Sequence, residues 1–130
     1  MNVLIINHQN QIQNNLIDLF RKTRHCSYMA VTSIEDAVNA IETGLFDLII
    51  SDPRMLDFSD AKISILIHRK MGSKPILYFN DRGSFQTALE YMDTGNDEFY
   101  MSAFPSEYLE KRILAYVKSQ KVSGINLPEN

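Results

Sequence analysis

Hydrophobic and polar positions follow a repeating pattern along this chain. Short uninterrupted apolar runs alternate with stretches in which apolar residues recur every three to four positions. The first kind suits a strand buried on both faces; the second is the face of an amphipathic helix. Val3-Leu4-Ile5-Ile6 opens the series, and Ile12, Leu16, Leu19 and Phe20 then share one helical face. A weaker strand is expected at residues 28–31. Thr32-Ser33-Ile34-Glu35 reads as a capping box, with the Thr32 hydroxyl and the Glu35 carboxylate satisfying free amides at the helix start. Ile34, Ala37, Val38 and Ile41 form the stripe of that helix, and Gly44 suits a left-handed residue just past it.

The pattern then repeats. Leu48-Ile49-Ile50 is the third strand and runs into Ser51-Asp52. A helix over residues 61–70 stops near Gly72, and residues 75–79 make the fourth strand. Phe85, Ala88, Leu89 and Met92 mark a fourth helix that Gly95 ends. A short fifth strand covers 98–101, and a last helix covers 106–118 with Leu109, Ile113, Tyr116 and Val117 facing inward. Strands alternating with helices argue for an α/β fold, a five-stranded parallel sheet between two helical layers. Ligands of such sheets sit beyond the carboxyl ends of the strands, where strand order reverses. That rule singles out the loops at 7–8, 52–57, 80–84 and 102–105.

Composition narrows the reading. A chain of 130 residues, 45% hydrophobic and 22% charged, suits one domain with a packed core. The domain is expected over residues 1–118; the polar stretch 119–130, with Gly124 and Pro128, reads as a frayed tail or linker. The net charge of −3 argues against direct nucleic-acid binding. Cys26 is the only cysteine, so no intrachain disulfide can form, and a small buried hydrophobe at a strand start is expected there. The opening apolar run is too short for a membrane span and lacks a basic flank, so a cytoplasmic location and no membrane association are expected.

The segment Phe46-Asp47-Leu48-Ile49-Ile50-Ser51-Asp52-Pro53-Arg54-Met55 resembles the third strand and following loop of the receiver domains of two-component response regulators. Asp52 lies 44 residues after His8, and Ser102 lies 22 after Asn80. Both spacings are similar to those between the family's functional positions. Gly95-Asn96-Asp97-Glu98-Phe99 resembles the family's lead into strand five. The resemblance spans about residues 2–118 and implies a doubly wound, flavodoxin-like sheet of strand order 2-1-3-4-5. It makes Asp52 the phosphoacceptor position and Phe99 the switch aromatic. In the family, two acids after strand one join the acceptor in holding Mg²⁺. A Thr or Ser after strand four and a Lys after strand five bind the phosphoryl oxygens.

This sequence departs from that pattern at most of those positions. Asn7 and His8 stand for the acidic pair, Asn80 for the hydroxyl and Ser102 for the lysine. Mg²⁺ prefers oxygen ligands including carboxylates, so weak binding is expected; if any metal is held, Asp52 and His8 are its ligands. One unit charge at about 4 Å is worth about 4 kcal/mol at an effective dielectric near 20, so losing two such partners slows phosphoryl transfer greatly. Removing acids also removes the need for a cation among them. Asp52 is then read in one of three ways: an inert strand-end carboxylate, a slow phosphoacceptor, or the partner of His8 in a charge-assisted hydrogen bond.

The expected function is therefore an atypical, degenerate receiver, a pseudo-receiver, that signals through protein–protein contact with phosphorylation at Asp52 weak or absent. The alternative is a working phosphoacceptor that takes its phosphoryl group from a histidine kinase or phosphotransfer protein. No second catalytic group accompanies Asp52 at motif spacing, so an enzyme is not expected. By resemblance, a protein partner or a second copy docks on the face made by the fourth helix, the fifth strand and the last helix, within residues 86–118. Tyr91, Tyr108 and Tyr116 are its candidate anchors.

Overall fold

Val3, Leu4, Ile5 and Ile6 are all fully buried. Four consecutive buried side chains point alternately to opposite sides of a strand, so both faces of the sheet must be covered. The computed structural model describes residues 1–51, 61–72, 74–79, 97–100 and 107–125. Within them run β1 (Asn2–Ile6), α1 (Asn10–Arg21), β2 (Ser27–Val31), α2 (Ile34–Thr43), β3 (Leu48–Ser51), α3 (Ala61–Met71), β4 (Ile76–Phe79), β5 (Glu98–Tyr100) and α4 (Glu107–Ile125). The helix expected around Phe85 to Met92 lies outside the described residues.

All strand pairs are parallel, and their order is β2-β1-β3-β4-β5. This is the doubly wound α/β/α arrangement implied by the resemblance. Side-chain parity divides the core in two. Val3, Ile5, Leu48, Ile50 and Leu77 face α1 and α4, meeting Leu16, Phe20, Leu109 and Ile113. Leu4, Ile6, Ile49, Ile76 and Tyr78 face α2 and α3, meeting Ala37, Ile41, Ile67 and Met71. Cys26 is partly buried against the first cluster, where burial pushes its thiol pKa up despite the nearby N-terminal ammonium.

Several local expectations change. The cap of α2 is Ser33, one residue later than Thr32: its backbone is extended, and its hydroxyl accepts from Asp36 N at 3.1 Å. Gly44 is not left-handed but extended at φ −113°. It is glycine for space, because a Cβ there would lie 2.9 Å from the Phe46 ring and 3.0 Å from Ala40 O. Gly72, at φ +59°, is the left-handed residue, and its N–H closes α3 onto His68 O. Tyr116 is half-buried against the core with the Arg112 guanidinium 6.0 Å from its ring centre, which removes it as an exposed anchor; Tyr108 is 61% exposed. The last helix runs to Ile125, through much of the stretch expected as a tail. No proline interrupts that stretch before Pro128.

Asp47 pins the amino-terminal ends of the strands. Its carboxylate accepts from Asn2 N at 2.8 Å and from Lys74 Nζ at 3.3 Å. Burial pushes the Asp47 carboxyl up, but the Asn2 N–H, Lys74 and the N-terminus together hold it below its ordinary 3.8. A carboxyl depressed by folding stabilises the fold above its ordinary pKa, and the gain is lost as pH falls through the lower, folded value. Asp47→Asn is therefore expected to lower the urea midpoint at neutral pH, with the gap from wild type closing as pH falls through the lowered Asp47 value and Asp47 itself becomes protonated.

Candidate functional site

The parallel sheet gathers the carboxyl ends of its strands on one edge. The β1–β3 register ends at Ile6 opposite Ser51, a residue with no exposed surface. Asn7 follows Ile6, and Asp52 follows Ser51 in the sequence. Asn80 follows Phe79, the end of β4, and Ser102 comes two residues after Tyr100, the end of β5. Asp52, Asn80 and Ser102 lie outside the described residues. Phe99 is on β5, paired in register with Tyr78. What the structure places in detail is the β1 side of the edge.

Asn7 is only 1% exposed, and its polar atoms can be followed one by one. Its N–H donates to Val31 O at 3.2 Å, so β1 stays tied to β2 one residue past its end. Its carbonyl oxygen accepts from Gln13 Nε2 at 3.4 Å. Its side-chain Oδ1 accepts from Gln9 N at 2.7 Å, a local turn that leads the chain into α1. Gln9, the residue before that helix, makes no capping bond with its own side chain, so the Asn7 oxygen satisfies one of the free amides there. The remaining atom, Nδ2, is buried and has no hydrogen-bond partner among the described residues. His8 is exposed.

Gln13 was not singled out by the sequence pattern. Its buried amide donates to Val31 O at 3.1 Å as well as to Asn7 O, locking α1 onto the ends of β1 and β2. The signal was available: residues 13, 16 and 20 share one side of α1, so a glutamine there faces the core beside Leu16 and Phe20. Asp97 belonged to the lead into strand five but carried no role. It is 6% exposed and accepts from Ile76 N at 3.0 Å, with His68 Nε2 3.8 Å from its other oxygen. That arrangement lies where β4 and β5 begin, at the end of the sheet opposite the site.

The described fold matches a receiver domain protein from Clostridium thermocellum with a TM-score of 0.70, covering 93% of this chain and 97% of that one at 18% identity. The chain has the response regulator receiver fold. A receiver domain of a Francisella response regulator gives a TM-score of 0.69 at 18% identity, covering 92% of this chain and 98% of that one. Full-length FixJ from B. japonicum gives 0.68 at 19% identity, with 91% of this chain and 56% of that one covered. Among curated proteins, the receiver-fold chain is 24% identical over 124 residues to the transcriptional regulatory protein BasR of Escherichia coli (strain K12). The match takes in 95% of this chain and 55% of BasR, so the chain spans about half the length of that relative. No protein-family profile matches the chain. Among the described residues of this receiver fold, no helix is long and apolar enough to cross a membrane.

Proposed function

We propose that this chain is a receiver-type signalling domain that works through protein–protein contact, with phosphorylation at Asp52 weak or absent and Mg²⁺ bound weakly. The observation that carries the reading is the buried Asn7 at the carboxyl end of β1, where the receiver pattern has an acid. Its neighbour His8 is not an acid either, and Asn80 and Ser102 occupy the hydroxyl and lysine positions in sequence. Phosphoryl transfer to a carboxylate gathers negative charge, and catalysis consists of positioning and compensating that charge. Two of the compensating elements, the metal-holding acids and the lysine, are absent from the matched positions. The partner surface proposed is the side of α4, where Tyr108 is exposed beside the ion pair of Glu107 and Lys111 (3.1 Å). An exposed aromatic flanked by charges suits a protein contact, from a second copy or another signalling protein.

Acetyl phosphate with Mg²⁺, followed by intact-mass measurement, tests the reading. Phosphoryl adduct is expected to accumulate at least about a hundredfold more slowly than in a receiver with the full acidic pair and lysine. A stoichiometric adduct that disappears in Asp52→Asn would overturn it in favour of a working phosphoacceptor fed by a histidine kinase or phosphotransfer protein.

A further inference from the structure

We propose that Asn7 makes the carboxyl end of β1 a hydrogen-bond-donor site, one that takes an oxygen acceptor and excludes divalent cations. This deepens the function proposed above and rests on its reading of the strand edge as the functional site. An asparagine can in principle offer a cation its carbonyl oxygen. Here that oxygen already accepts a 2.7 Å bond from Gln9 N. The partner is an N–H, which only an oxygen can accept, so the amide orientation is fixed by chemistry. Flipping it would set N–H against N–H and break the turn that begins α1.

The atom left over is therefore Nδ2, buried and without a hydrogen-bond partner among the described residues. The other polar atoms of Asn7 are engaged by Val31, Gln13 and Gln9. A buried amide NH₂ carries partial positive charge and seeks an acceptor. Mg²⁺ needs oxygen lone pairs in near-octahedral array. A donor at this point repels the ion that the receiver pattern would place here, and His8 supplies nitrogen, not oxygen. The described residues at this strand end do not fit Mg²⁺: the atom of the Asn7 side chain without a partner is a donor, and His8 offers nitrogen.

Asn7→Asp tests this because it is nearly isosteric. It keeps the oxygen that holds Gln9 N and replaces the NH₂ with an anionic oxygen. Thermal unfolding is followed in chelator and in millimolar Mg²⁺ at matched ionic strength. Wild type is expected to melt at the same temperature in both. Asn7→Asp is expected to melt lower in chelator, carrying a buried unpaired charge, and to regain several degrees with Mg²⁺. Equal Mg²⁺ stabilisation of the two proteins, or none for the variant, overturns the proposal. Should the variant fail to fold in chelator, wild type decides alone, with Mn²⁺ as a paramagnetic probe. The amide signals of Gln9 and Gln13 are expected to stay as sharp as those of the rest of the protein; selective broadening there overturns the proposal. The two readings fail separately. Tight Mg²⁺ binding without an Asp52 adduct sinks this one and the weak-Mg²⁺ clause of the function but leaves signalling by protein contact without phosphorylation standing, and an adduct formed in chelator sinks the functional one alone.

Discussion

Replacing Asp97 with alanine is expected to destabilise the protein by about 2–3 kcal/mol, read as a lower urea midpoint at neutral pH. The carboxylate is 6% exposed and accepts the Ile76 backbone N–H at 3.0 Å. Truncation leaves that N–H unpaired at the start of β4, away from water, and an unsatisfied buried donor costs more than an average hydrogen bond contributes. The second contact, His68 Nε2 at 3.8 Å, is beyond hydrogen-bond length and contributes less. Asp97→Asn separates the two. It keeps an oxygen for Ile76 N and loses only the charge, so its cost is expected to be about 1 kcal/mol. If the asparagine variant is as unstable as the alanine variant, the charge facing His68 dominates and the backbone bond does not.

Ile50→Ala is expected to cost about 2–5 kcal/mol, a large share of the roughly 5–15 kcal/mol that holds a domain together. Ile50 is 1% exposed in the cluster shared by the sheet, α1 and α4. Removing its outer carbons opens a cavity that a parallel sheet covered by two helices cannot close easily. The change also loosens the strand that ends at the buried Ser51. Leu45→Ala is the control. Leu45 is 79% exposed, and its loss is expected to shift stability by less than about 0.5 kcal/mol. Leu45 lines a shallow concavity of about 250 Å³ at the amino-terminal ends of the strands, away from the proposed site. A large effect of Leu45→Ala would mean that this surface is covered in solution.

Much of the fold was legible because its signals are short. The run Val3-Leu4-Ile5-Ile6 could only be a strand covered on both sides, and its parity assigns Val3 and Ile5 to one cluster, Leu4 and Ile6 to the other. The stripe at Leu16, Leu19 and Phe20 faces the core as its period requires. Strand order rested on the resemblance around Asp52, and the observed pairing agrees with it. Errors fell where two neighbouring readings were locally equal. Thr32 and Ser33 are both good caps, and only the extended Ser33 backbone with its bond to Asp36 N chooses between them. Gly44 looked like a left-handed residue, whereas the Phe46 ring, folding back over it, is what demands a missing side chain.

The candidate site divides along the same line. By itself the sequence determined which residue types follow the apolar runs: Asn7, His8, Asp52, Asn80 and Ser102, with Asp52 the one carboxylate among these five. Residue identity at a loop position is local information, and periodicity is enough to locate the loop. Only the tertiary structure decided which end of the Asn7 amide is committed, that Gln13 seals the carbonyls of Asn7 and Val31, and that Asp97 holds the Ile76 N–H from 21 residues away. An amide can donate or accept, and a buried carboxylate can meet many groups. Which one it meets is set when distant segments pack together and every buried polar atom competes for a partner.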